Sequence, residues 1–277
     1  MYARDLVRGA VRLFALPKPY RELRRLQQNG EASSASISHA LKNDPALCAQ
    51  VLKIANSSLY GLKSKIDTIS RAVTIIGQDA VLNLVLATTS IQMFSRYKLP
   101  TFDIQKYWEH SIRTAILSQE LAKTCNVLQT ESYFVAGLLH DIGTMVIAVK
   151  LPELSRALYM RLPDDLSPKY EIEYQSLGFT HADVAGELFS LWTFPDHLID
   201  AVKNHHAPEQ AEISPLSAAL VQIACAYSQM DDKASQDLIG PLAWQITNLD
   251  RAMVETISSD LEMVYQDTVH GLVNRVA

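Results

Sequence analysis

Six residues in the second half of the chain, His110, His140, Asp141, His181, His205 and His206, are candidates for a metal site. His140-Asp141 ends an apolar run, Val135-Ala136-Gly137-Leu138-Leu139, and His205-His206 is a second adjacent pair. Ionisable groups at the end of a buried run are costly unless they are paired or bind an ion. Leu198 and Ile199 precede His205 and His206 by seven residues, and Val202 precedes His206 by four. Both imidazoles therefore continue the core-facing stripe of the helix before them. His110 lies four and seven residues before Thr114 and Leu117, which turns it inward on its own helix, and His181 falls in the first turn of another. Neutral imidazole and carboxylate ligate Zn, Fe, Mn, Co or Ni. Five His and one Asp could hold one or two divalent ions, and two ions sharing Asp141 would suit metal-activated water attacking a phosphate ester. Taken singly, each His is more often a helix-end or core residue with a satisfied hydrogen bond; the set together points to a site. His39, His197 and His270 have no such company and read as surface residues.

The elements that must position these residues are helices. Apolar residues recur at helical spacing, without alternating strands, repeats or low-complexity tracts, and this predicts an all-α fold. A first helix is expected over residues 4–16, with Arg4, Arg8 and Arg12 on one face and Leu6, Val7, Val11 and Phe14 on another. Such a helix docks on its own domain more often than on an anionic membrane. Pro17 and Pro19 break it. Further helices are expected over 33–41, from Pro45 with Asp44 as N-cap, over 69–76 ending at Gly77, and over 79–94. In the second half they are expected over 107–123, 132–139, 181–191 capped by Thr180 with Asp183, from Pro195 to near His206, and over 215–228. Residues 250–273 read as one terminal helix with a single stripe, Met253, Ile257, Leu261, Val264, Thr268 and Leu272. Residues 162–167 read as a surface loop. Pro100 separates the two halves.

The 277 residues are 48% hydrophobic and 20% charged, which is ample for a buried core and excludes wholesale disorder. The net charge is −5, and the one basic cluster, Arg21, Arg24 and Arg25, reads as a solvated helix face, so no nucleic-acid partner is expected. Cys48, Cys125 and Cys225 are odd in number and widely spaced, which fits neither a disulfide framework nor a CxxC knuckle. The apolar stretch over 81–94 is too short and too polar to span a bilayer, and no signal-peptide pattern opens the sequence; a cytoplasmic protein is expected.

At these residues the chain resembles the HD superfamily of metal-dependent phosphohydrolases, in the order His110, His140-Asp141, His181, His205-His206. The first half narrows the resemblance to HDOD domains (HD-related output domains). It does so through Asp44-Pro45-Ala46-Leu47, Val51-Leu52, Asn56-Ser57, Tyr60-Gly61, Ile69, Ala72 and Ile75-Ile76-Gly77. Phe179-Thr180-His181, Gly186, Trp192, His205-His206 and Pro208 continue it. The resemblance implies an HD-like helical subdomain over 101–230, preceded by a smaller helical subdomain over 1–100 and followed by a helical extension over 231–277. It implies a bacterial signalling output or interaction module with protein partners. It also implies His110, His140, Asp141, His181, His205 and His206 as ligands of one or two ions of Zn, Fe, Mn or Ni. Cys225, in Ile223-Ala224-Cys225-Ala226-Tyr227, stands where the family has its last Asp ligand. Thr144 replaces the Lys that follows His-Asp-Ile-Gly in the HD-GYP relatives, which hydrolyse cyclic di-GMP. Ala207 replaces a Glu, and no Gly-Tyr-Pro loop precedes Pro215. These departures imply a degenerate site with little or no catalysis. The retained His and Asp keep the alternative open, a phosphohydrolase acting on a nucleotide or other phosphate ester.

Overall fold

The computed structural model describes residues 2–9, 13–97, 99, 102–161, 168–229 and 233–272. Among them all regular structure is helical. The helices are α1 (Ala3–Arg8), α2 (Lys18–Gln28), α3 (Ser34–Leu41), α4 (Pro45–Ala55), α5 (Ile69–Ile76) and α6 (Gln78–Phe94). There follow α7 (Ile104–Thr124), α8 (Glu131–Leu139), α9 (Ile142–Lys150), α10 (Pro152–Arg161), α11 (Lys169–Leu177) and α12 (His181–Leu191). Then come α13 (Asp196–Lys203), a 3-10 turn (Pro208–Gln210), α14 (Pro215–Ser228), α15 (Lys233–Asp237), α16 (Pro241–Thr247), α17 (Arg251–Asp260) and α18 (Glu262–Leu272). The expected loop over 162–167 and Pro100 lie outside the described residues.

The helices form two compact units that cut across the linear order: Met1–Ala15 with Tyr97–Ser259, and Leu16–Arg96 with Asp260–Ala277. In the smaller unit, α2, α4 and α5 pack on α6, which is buried along most of its length. Pro17 and Pro19, expected only to stop a helix, also open α2: Pro19 sits in its first turn, where a missing N–H costs nothing. α2 buries Tyr20, Leu23 and Leu26 and leaves Arg21 and Arg25 in solvent, Arg25 3.0 Å from Glu22. The Asp44 carboxylate accepts from the Leu47 N–H at 3.0 Å, which caps α4. Asp44→Ala is expected to cost about 1 kcal/mol, the usual worth of such a cap, read as a small loss in urea midpoint. A stability equal to wild type would show the cap to be idle.

The terminal helix is two helices. Val254 is buried in the larger unit, whereas Tyr265, Thr268 and Leu272 are buried in the smaller one, and the chain turns at Leu261 between them. α18 packs on α4, and Asp267 accepts from the N–H and Oγ of Ser58 at 2.7 and 3.0 Å. Met253, expected in the stripe, is 42% exposed.

The first helix runs over Ala3–Arg8 and docks in the larger unit on α9 and α12 with Leu6 and Val7 buried; Val11 and Arg12 of the expected helix lie outside the described residues. Trp192 Nε1 donates to the Phe14 carbonyl at 2.7 Å and ties this segment down. Among the described residues one helical stretch, Glu131–Lys150, is long and apolar enough to cross a membrane, and 83% of its apolar window is buried inside the protein. It comprises α8 and α9, with His140 and Asp141 between them.

Two glycines set how closely these helices approach their neighbours. A Cβ on Gly137 would lie 2.7 Å from the Thr114 carbonyl oxygen and 2.8 Å from Ala115 Cα, so α8 lies backbone against backbone on α7. A Cβ on Gly143 would overlap the His181 carbonyl oxygen and lie 2.9 Å from the Ala185 nitrogen, so α9 touches α12 in the same way. Close approach of this kind requires glycine. Gly137 and Gly143 flank His140-Asp141, and the two contacts bring that pair to His110 on α7 and to His181 on α12.

Candidate metal centre

The six expected residues converge within the larger unit. Asp141 is the hub: its Oδ1 lies 2.8 Å from His181 Nε2, 3.6 Å from His140 Nε2 and 3.8 Å from His205 Nε2. His206 Nε2 lies 2.9 Å from His181 Nε2. Potential ligand atoms fall into two groups, each mutually within 4.8 Å: Asp141, His181, His205 and His206, and His110, His140 and Cys225. Cys225 Sγ, on α14, is 3.7 Å from His110 Nε2. His39, His197 and His270 are exposed and apart from the cluster, as expected.

The protein fixes which ring nitrogens face the centre. His140 Nδ1 is 2.7 Å from the Gly137 carbonyl and His205 Nδ1 2.7 Å from the Val202 carbonyl. A carbonyl only accepts, so both Nδ1 atoms carry the hydrogen and both Nε2 lone pairs point inward. Those two Nε2 atoms are buried without a hydrogen-bond partner. Orphaned polar atoms of this kind cost about 1–3 kcal/mol each, which ligation would offset. Burial, with neighbouring imidazoles acting in the same direction, pushes His140 and His206 well below the ordinary imidazole range and His205 down to about 4, the neutral form that ligates. The His205-His206 pair is held from behind. Asp200 accepts from the N–H groups of Ile213 and Ser214 at 2.9 and 2.7 Å, and Gln222 Nε2 donates to the His206 carbonyl at 3.0 Å.

Bonds of about 2.1 Å place ligand atoms roughly 3.0–3.4 Å apart when adjacent and about 4.2 Å apart when opposite, in four- or six-coordinate sites. The spacing observed and the orphaned nitrogens fit a divalent ion. Asp141, His181, His205 and His206 could hold one, and His110, His140 and Cys225 with Asp141 a second. The second set is softer. Burial pushes the Cys225 thiol pKa up, with Asp141 adding to it, so the thiol is neutral where a carboxylate would carry charge.

Two residues in the centre were not found by sequence reasoning, and both come from α11. Glu173, 4% exposed, accepts from His181 Nδ1 at 2.6 Å and from the His181 N–H at 2.8 Å. That amide is one of the four that α12 cannot satisfy internally. Burial alone would lower the His181 pKa, but Glu173 and Asp141 outweigh it and raise it to about 9, so in the metal-free protein His181 Nε2 also carries a hydrogen, shared with Asp141, which a ligating ion would have to displace. Lys169 Nζ donates to Thr144 Oγ1 at 2.7 Å and lies 3.6 Å from Asp141 Oδ2. An ammonium is thus present at Thr144 even though residue 144 is not Lys. Burial would raise the Asp141 pKa; Lys169, then His181 and His140, hold it well below the ordinary carboxylate range. The signal that could have found both is the spacing Lys169, Ile172, Glu173 after Pro168: an inward helix face with charges at two of three positions.

Outside His206 lies a cleft of about 510 Å³, lined in part by Tyr170, Tyr174, Lys203, Ala207 and Gln210. Tyr170 stacks on His206 at 4.4 Å between centroids and 21° between planes.

An all-helical unit with imidazoles from three further segments gathered around one His-Asp pair defines an HD-type domain. The family model of the HDOD domain matches residues 13–208, and the chain belongs to that family. It is similar to a crystal structure from Shewanella amazonensis SB2B named "putative phosphohydrolase", at 25% identity over 97% of this chain and 98% of that one, with a TM-score of 0.77. An HDOD domain protein of unknown function from Geobacter sulfurreducens has the same fold at 20% identity, with a TM-score of 0.81 over 97% and 95% of the two chains. An uncharacterised protein of Treponema pallidum is 27% identical over 202 residues, which are 70% of this chain and 38% of that protein; the chain thus spans well under half of that relative's length.

Proposed function

We propose that this chain is a signal-transduction module of the HDOD type that binds a divalent transition metal and acts through protein partners, with little or no turnover. The observation that carries the metal reading is the inward pair of buried, unpartnered Nε2 atoms of His140 and His205 about Asp141. Low turnover is supported by Cys225 standing where the family has a second carboxylate, since sulfur, a soft ligand, does not bridge hard ions as a carboxylate does. The partner reading rests on family membership. A divalent ion in this centre would supply Lewis acidity and lower the pKa of a water.

The test has two parts. Protein purified without added metal and then titrated with Mn or Fe should hold one or two equivalents, and failure to take up either ion overturns the metal reading. Hydrolysis of cyclic di-GMP, assayed with Mn or with Fe under anaerobic conditions, should not exceed that of His140→Ala. Each ~1.4 kcal/mol of lost transition-state stabilisation is tenfold in rate, and losing two or three supports leaves nothing to measure. Clear turnover abolished by His140→Ala would establish the second reading, a phosphohydrolase. That reading is favoured by the Lys169 ammonium beside Asp141, by the cleft at His206 and by the name of the Shewanella relative.

A further inference from the structure

α11 reaches the centre with two charges of opposite sign, one turn apart. Glu173 accepts a hydrogen bond from His181 Nδ1, which turns Nε2 towards Asp141 and His206. Lys169 holds the other face of Asp141: its ammonium is 3.6 Å from Oδ2 while His181, His140 and His205 approach Oδ1. It also donates to Thr144 Oγ1 at 2.7 Å, which helps to keep it there. A cation in that position does for Asp141 part of what a metal ion would do, and it repels an ion that approaches the same carboxylate.

We infer that α11 sets the metal affinity of the centre from both sides: Lys169 is a built-in counter-ion that competes with a divalent ion for Asp141, and Glu173 is a positioning residue that strengthens His181 as a ligand. The inference rests on the metal-binding reading above and deepens it, because it assigns the regulation of that site to one short helix. Any event that draws α11 away exchanges both effects at once. Lys169 leaves Asp141, which favours the ion, and Glu173 leaves His181, which disfavours it. Between them Tyr170, stacked on His206, links the same helix to the wall of the cleft.

The two residues make predictions of opposite sign, which a merely structural helix does not. Lys169→Met keeps an unbranched side chain one atom shorter and removes its charge; Glu173→Gln keeps the shape and removes the carboxylate. Mn titrated into the full-length protein by calorimetry should bind about tenfold or more tightly to Lys169→Met than to wild type. It should bind roughly ten- to a hundredfold more weakly to Glu173→Gln, the usual cost of losing the carboxylate behind a ligating imidazole. The melting temperatures of both metal-free variants show whether each still folds, and Lys169→Gln is the second variant should Met disturb packing. Wild type that binds Mn while Lys169→Met and Lys169→Gln bind it equally or more weakly overturns the inference and leaves the metal reading standing. Weakening in both charge-removed variants likewise overturns it, since α11 would then be scaffold alone. Absence of binding in wild type and all variants removes both readings.

Discussion

Gly143→Ala should lower the stability of the larger unit by about 3 kcal/mol or more, at or beyond the upper end for an overpacked site. The added Cβ falls on the His181 carbonyl oxygen, and both partners are helix backbone, so no rotamer change relieves the overlap. α9 must move away from α12, and Asp141 moves away from His181 with it. At roughly 2–4 °C per kcal/mol for a chain of this size, the melting temperature should fall by roughly 6 °C or more. Mn affinity should fall as well, since the hub and one of its ligands are pulled apart. Gly9→Ala is the control: its nearest contact would be 3.4 Å, with φ −66° already suited to alanine. A Gly143→Ala protein melting within 2 °C of wild type would show that α9 and α12 do not need this approach.

Cys225→Asp should raise Mn affinity by about tenfold or more, a gain of ~1.4 kcal/mol. Cys225 Sγ lies beside His110 Nε2, in the group that also contains His140, and a carboxylate there gives that group a charged, hard-oxygen ligand. The same change buries a charge among imidazoles, so the metal-free variant should melt below wild type. Saturating Mn should reverse the loss, because an ion that binds only the folded form stabilises it by about 2.7 kcal/mol at a hundred times its dissociation constant. Calorimetric titration and melting curves with and without Mn read both effects. Equal affinities in the two proteins would remove position 225 from the metal-binding set.

Most helices were legible from periodicity and caps. α5 and α14 run over the residues expected, and the Thr180–Asp183 capping box opens α12 at His181. The misses share a cause. α2 was hidden because Pro17 and Pro19 read as a stop, although proline in a first turn is also a start. The break at Leu261 was hidden because one stripe serves two units, and a periodic pattern carries no label for the surface it packs against. Glu173 and Lys169 were hidden because a charge on a helix reads as solvated unless its partner is known.

What the sequence by itself determined is the inventory: an all-helical HDOD chain in which His110, His140, Asp141, His181, His205 and His206 occur in HD order, with Cys225, Thr144 and Ala207 as departures. The residues and their order are local facts of type and spacing; that this is HD order, and that three positions depart from it, is what the family resemblance implies. Only the tertiary structure decided the electrostatics of the centre. Gly137 and Gly143 mattered as glycines only once α8 lay on α7 and α9 on α12. Lys169 is 28 residues from Asp141 in sequence but 3.6 Å from it in space, and it restores at Thr144 a charge the motif lacks. The energy of a buried carboxylate or imidazole depends on which charges the fold brings within a few ångströms of it, and residue spacing along the chain does not contain that distance.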